Sequence, residues 1–176
     1  RNLTYTVFNK PETISAPGVS TLLSYAPDRR RFRQQTTDDG NSTDTYYYDG
    51  GSFEVVQQDG VTRYKSYISD FMIHTLVDNA SGGQGIEIAY THRDSLGSVE
   101  SITYAGEQHN ERMLFAPFGQ RRKADWENAD SSFMDSLREK TFQTTSRGFT
   151  NHEHLDATGF IHMNGRIYNP AIGRFM

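Results

Sequence analysis

Apolar and polar residues alternate in short runs along most of this 176-residue chain, and Gly, Asn and Asp punctuate the runs. A period of two places successive side chains on opposite faces of an extended backbone, so the pattern predicts short β-strands throughout. Ile86, Ile88 and Tyr90 alternate with Glu87 and Ala89. Phe53 and Val55 alternate with Glu54, and that run continues to Gln58. Asp59-Gly60 follows, then Val61-Thr-Arg-Tyr-Lys, which predicts a hairpin because Gly accepts the positive φ of a type I′ turn. Ser101-Ile-Thr-Tyr and Arg112-Met-Leu-Phe flank Ala105-Gly106-Glu107 and predict a second hairpin with a longer loop. Asn164-Gly165 is the strongest hairpin signal in the chain and would set Phe160–Met163 beside Arg166–Tyr168. Leu155-Asp-Ala-Thr-Gly159 reads as a turn, with Asp156 bonding locally and Gly159 taking the positive φ.

Tyr-containing units recur loosely at Tyr25, Tyr48 and Tyr67, separated by 23 and 19 positions. A repeat of about 20 residues is the mark of a stacked array in which each unit buries a face on its neighbour. One stretch, 120–147, breaks the texture by being polar and charged. Within it Phe133, Met134 and Leu137 share a helical face, Asp130 or Ser131 can cap the N-terminus, and Arg138 and Lys140 suit the C-terminal end. The expectation is an all-β chain forming one domain over 1–176, with a polar insertion at 120–147 that carries one short helix at about 130–141. Arg1 opens directly onto strand-like sequence, so the chain reads as excised from a longer polypeptide.

Hydrophobic content is only 35%, but 10 Tyr, 11 Phe and one Trp supply large rings for a core. The net charge of −4 offers no field to attract nucleic acid or an anionic membrane. The absence of Cys excludes disulfides, thiolate metal sites and a Cys nucleophile. No apolar run approaches the ~20 residues of a membrane span, and no signal peptide is evident.

Candidate chemistry is sparse. His152 and His154 are i, i+2, so on a strand they share a face, and with His162 or Asp156 they could make a three-ligand zinc site. The spacing is not that of the helical HExxH motif, and the structural reading is preferred, with no metal expected. His92-Arg93-Asp94 reads as a structural turn in which Asp94 binds local N–H groups before Leu96-Gly97. The basic runs Arg29–Arg33 and Arg121–Lys123 could meet phosphate, but on a strand the first splits between two faces, and solvation or salt bridging is the expected fate. Trp126, with Phe133 and Leu137, is expected to pack against the sheet. No phosphate loop and no Ser-His-Asp set stands out.

Five segments resemble, in order, the C-terminal core of Rhs/YD-repeat polypeptides. Leu3-Thr-Tyr-Thr-Val-Phe-Asn-Lys-Pro and Tyr25-Ala-Pro-Asp-Arg resemble its leading strands. Tyr90-Thr-His-Arg-Asp-Ser-Leu-Gly-Ser is similar to its YxHxDxLGS motif, marked here by His92, Asp94 and Gly97. Phe115-Ala-Pro-Phe-Gly-Gln-Arg resembles its aFGxR motif, with Gly119 at the glycine. The stretch from Gly148 to Met176 resembles the closing motif, marked by Asn164, Gly165, Arg166, Asn169, Pro170, Gly173 and Arg174. The resemblance implies an antiparallel ribbon of YD-type hairpins that winds into part of a spiral β-shell around a C-terminal toxin. It implies that the toxin is freed by self-cleavage beyond Met176, and that secretion or delivery by a bacterial secretion system follows a cytoplasmic stage. Implied partners are the chain's own N-terminal repeats and the toxin, with a homodimer through sheet edges as a further expectation. No cofactor, nucleic acid or membrane span is implied. Relatives often carry Asp, implicated in cleavage, at position 169. Asn169 cannot ionise, so this fragment is not expected to cleave itself. Two alternatives remain open: a self-processing aspartyl-type protease core, and a cell-surface adhesin module that binds carbohydrate through exposed Tyr and Trp.

Overall fold

The computed structural model describes residues 1–106, 110–123, 125–130, 132–137 and 144–176. The fold is antiparallel β almost throughout. Eleven strands pair in sequence order: β1 Asn2–Tyr5, β2 Pro11–Ala16, β3 Val19–Tyr25, β4 Arg31–Asp38, β5 Asn41–Tyr48, β6 Phe53–Gln58, β7 Val61–Ile68, β8 Met72–Asn79, β9 Gln84–Arg93, β10 Val99–Tyr104 and β11 Asn110–Arg112. Two small sheets follow, β12 Leu114–Phe115 with β13 Arg121–Arg122, then β14 Glu153–Leu155, β15 Phe160–Met163, β16 Arg166–Asn169 and β17 Arg174–Phe175 in that order. The chain divides into two compact units, Arg1–Ile88 and Ala89–Met176. No helix among the described residues is long and apolar enough to cross a membrane.

The first unit is a meander whose turns recur at short, even intervals. Left-handed backbone falls at Asn9, Gly18, Arg29, Asp39, Asp49, Asp59 and Ser69, in steps of nine to eleven residues. Two such steps make one hairpin, which is the physical content of the 20-residue recurrence in the sequence. Turns at the same end lean on one another: the Asp39 N–H donates to Gly18 O at 2.9 Å, and the Ala80 N–H donates to Gly60 O at 2.9 Å. The Asp59-Gly60 hairpin forms as expected, with φ of 50° and 75° and Gln58 opposite Val61. One sheet face is buried through Ile14, Val19, Leu23, Val56, Ile73 and Val77. Each such aliphatic contributes on the order of 1.5–3 kcal/mol. Arg31 and Arg33 do split between faces: Arg31 lies 4.0 Å over the Tyr47 ring, while Arg33 stacks on Tyr46 and pairs with Asp44.

Several expectations need correction. β9 is a strand, but its buried side chains are Ala89 and Thr91, whereas Ile86 and Tyr90 face outward. Hydrophobic alternation located the strand without telling which face is covered, because small residues suffice where packing is close. β10 and β11 pair as expected, with residues 107–109 of the loop outside the described set. The second strand stops at Arg112, however, and Leu114–Phe115 turns away to pair with Arg121–Arg122. Residues 132–137 are helical, and Asp130 caps them, accepting the Phe133 N–H at 2.9 Å. Leu137 is buried. The expected remainder, at 131 and 138–141, lies outside the described residues. Trp126 is not packed on a sheet: it sits in a turn at φ 68° with 63% of its surface exposed.

Candidate functional site

Apart from the basic run Arg29–Arg33, the residues singled out in the sequence fall in the second unit, and most take places set by local backbone chemistry. After β9, Asp94 closes a tight turn. Its Oδ1 accepts the Leu96 N–H at 2.9 Å and the Ser98 N–H at 2.8 Å, and Gly97 follows at φ 81°. His92 is exposed on β9, its Nε2 3.0 Å from the Thr103 hydroxyl. These residues form the structural turn anticipated from their order.

The closing hairpin is also as anticipated. Asn164 and Gly165 have φ of 49° and 105° and join Met163 to Arg166 with no residue to spare. Asn169 ends β16 in extended geometry, as Pro170 requires. Its Oδ1 accepts the Ala171 N–H at 3.0 Å, and Gly173 at φ 64° completes a reversal that returns Arg174–Phe175 antiparallel to Tyr168–Asn169. Arg166 covers the Phe175 ring at 3.9 Å. Asn169 is thus a turn-former whose oxygen is in use. An Asp at this position could make the same bond.

A dense polar cluster among the described residues of this unit lies deeper. Arg121, on β13, points its Nε and Nη2 at Asp156 Oδ1 and Oδ2, at 2.8 and 2.9 Å, and both side chains are 5% exposed. Asp156 was expected to serve its own turn. That turn forms through main-chain bonds to Leu155 O instead, with Gly159 at φ 70°, and the carboxylate goes to Arg121. His154 sits beside the pair with Nδ1 3.8 Å from Asp156 Oδ1. Its ring lies against Phe115, and its Nε2 accepts the Phe149 N–H at 3.1 Å. Burial pushes the His154 pKa down to about 3. The nearby Arg121 guanidinium adds to that effect and Asp156 opposes it. The ring is therefore neutral, and because Nε2 accepts, its proton is on Nδ1.

Two glycines make room for this cluster. A Cβ on Gly148 would lie 2.8 Å from His154 Cδ2 and 2.9 Å from Phe115 Cζ, and one on Gly119 would lie 2.7 Å from the Phe149 ring. This is the physical meaning of the glycine in the FGxR segment: Gly119 both adopts φ 86° and lets Phe149 pass.

The geometry limits what the cluster can do chemically. A carboxylate bound at both oxygens by a guanidinium is a weak base, and the accepting nitrogen of His154 is occupied by a backbone amide. His152 lies outside β14, and among the described residues no three of His, Cys, Asp or Glu are grouped to hold a metal ion. The cluster is a buried strut.

A second buried polar cluster was not anticipated. In the first unit Glu54 and Lys65 stand directly opposite on β6 and β7, both buried, with Tyr67 OH donating to Glu54 Oε2 at 3.0 Å. Arg63, on the same face, pairs with Glu87 at 2.7 Å. Burial lowers the Lys65 pKa to about 8 against the pull of Glu54. The signal was present: a two-residue turn at Asp59-Gly60 fixes the register, and counting outward from it places Glu54 opposite Lys65.

No protein-family model and no curated protein sequence matches the chain. Solved structures do match its fold. The structure of TcdB2-TccC3 without hypervariable C-terminal region aligns over 99% of this chain with a TM-score of 0.72 and 14% identity. TcdB2-TccC3-TEV aligns over 99% with a TM-score of 0.70 and 15% identity, and TcdB2-TccC3-Cdc42 over 99% with 0.67 and 16%. At such identities the likeness is one of fold. The chain spans about 9% of the length of those chains.

Proposed function

We propose that this chain is a wall segment of an Rhs-type β-shell, a structural module of a larger toxin-associated polypeptide. The observation that carries the reading is the alignment of its whole length with a small part of TcdB2-TccC3 chains, since the fold itself comprises open-edged sheets. A sheet whose edge strand β1 keeps one side of its backbone unpaired is suited to continue into further strands. The polar clusters are consistent with the same reading: Arg121–Asp156 and Glu54–Lys65 occupy buried positions.

On this reading the chain's partners are flanking repeats of its own polypeptide and a C-terminal toxin held behind the wall. Self-cleavage beyond Met176 frees that toxin, and the polypeptide leaves a bacterial cytoplasm by a secretion system. When flanking repeats are missing, the free edges pair two copies.

The test is protease protection of the full-length polypeptide. A segment following Met176 that resists protease until the shell is unfolded, and that appears as a separate fragment on denaturing gels, supports enclosure and cleavage. A segment digested as fast as an unfolded control removes the enclosure. An uncut chain, both as it stands and with Asn169→Asp, removes the self-cleavage.

A further inference from the structure

The segment Gly148–His152 is held in an unusual state. Thr150 and Asn151 both have positive φ, 48° and 60°. For β-branched Thr150 that conformation is an outlier, whereas Asn adopts it more readily. The loop therefore stores strain that its contacts must offset. Those contacts are the Phe149 ring on Phe115, at 5.9 Å between centroids, and across Gly119, and a set of hydrogen bonds: the Thr150 N–H to Ser98 Oγ at 3.1 Å, the Val99 N–H to Gly148 O at 3.1 Å, internal bonds of the turn, and the Phe149 N–H to His154 Nε2 at 3.1 Å. Only the last depends on a group that changes its hydrogen-bonding sense with pH. A neutral imidazole accepts at Nε2, whereas an imidazolium carries a proton there and can only donate.

We propose that the 148–152 loop is an acid-operated latch, closed by the Phe149 N–H···Nε2 bond to neutral His154 and opened when His154 takes up a proton. Protonation sets two N–H donors against each other at 3.1 Å and adds a cation beside Arg121. The groups facing the ring are Arg121 from β13, Asp156 from the turn after β14, His152 from the adjoining extended segment, and the uncharged rings of Phe115 from β12 and Phe149 of the loop. Asp156 cannot relieve the clash, because it faces Nδ1 and is already bound at both oxygens by Arg121. The Gly148 cradle brings the ring against the loop backbone, so ring and loop part together.

The sign follows from the direction of the shift. The closed loop holds His154 far below its ordinary value of 6.5, and an opened loop restores it. Protons therefore bind preferentially to the open form, and the open population rises as pH falls through 6.5 towards 3. With one proton linked, the rise is roughly tenfold per pH unit.

Amide hydrogen exchange on the 176-residue chain tests it. Between pH 6.5 and 4.5, protection of the Phe149, Asn151 and His152 amides, corrected for intrinsic rates, should fall roughly fiftyfold. Amides of β7 in the first unit should stay level. In His154→Gln, whose amide oxygen can accept the same bond but does not titrate, the fall should vanish. A flat profile in the wild type, or an equal fall in His154→Gln, overturns the latch. Should that variant not fold, the histidine side-chain NMR spectrum of the wild type decides. His154 with its proton on Nδ1 and no titration above pH 5 supports the latch, and a midpoint above pH 5.5 overturns it.

Discussion

Replacing Asp156 with Ala should destabilise the second unit far more than any surface change, and the structure sets the scale. The Arg121 guanidinium would keep its place, 5% exposed, facing Phe115 at 5.5 Å and the Met113 sulfur, with its bidentate partner gone. Two charge-assisted bonds, at 2.8 and 2.9 Å, disappear. Breaking a buried pair in this way costs about 3–5 kcal/mol, a large fraction of the 5–15 kcal/mol that a whole domain holds. The pair as a unit contributes much less, because each ion gave up its hydration to be buried. Arg121→Met together with Asp156→Leu should therefore recover most of the loss and fall far short of the sum of the two single losses. Urea unfolding of the wild type, Arg121→Met, Asp156→Leu and the double variant, read by a probe in the second unit, closes the cycle. Single-variant losses under about 1 kcal/mol, or strictly additive losses in the double variant, would refute the strut.

Gly119→Ala combines a left-handed backbone with a Cβ at 2.7 Å from the Phe149 ring, so a loss of about 2–3 kcal/mol in the same unfolding assay is expected. Lys65 has a folded pKa of about 8, below its ordinary 10.5, so the unfolded chain holds this proton more tightly. The Lys65 contribution should therefore stabilise the first unit progressively as pH rises from about 8 to 10.5, by about 3 kcal/mol in all, relative to a Lys65→Met variant. A falling difference over that range would contradict the assignment. Asn169→Asp should leave the turn intact, since either side chain can accept the Ala171 N–H, and thermal melting should change by no more than a few degrees.

Much of this fold could be read directly. The two hairpins with Asp-Gly and Asn-Gly turns formed with the expected register, because those pairs strongly favour the tight two-residue turn. The Asp94 turn, the Pro170–Gly173 reversal and the Asp130 cap were legible for the same reason: each is a contract between near neighbours. What was not legible depends on residues far apart. Arg121 lay inside a stretch that looked solvated, and its partner is 35 positions away. Asp156 looked like a local turn residue until a distant cation claimed it. The alternation of Ile86, Ile88 and Tyr90 marked β9 as a strand but not its covered face, which is that of Ala89 and Thr91. Trp126 shows the reverse error, a large ring left in solvent by its turn. Family resemblance marked Gly119 without explaining it, and the explanation is the passage of Phe149 across it.

The central claim is that these sheets are part of a continuous wall, and a cryo-EM map of the full-length polypeptide tests it most directly. The account predicts strands hydrogen-bonded to β1 from preceding repeats, with density for the following segment enclosed on the inner side. A map in which residues 1–176 stand apart as a separate domain, with β1 open to solvent and nothing enclosed, would contradict it.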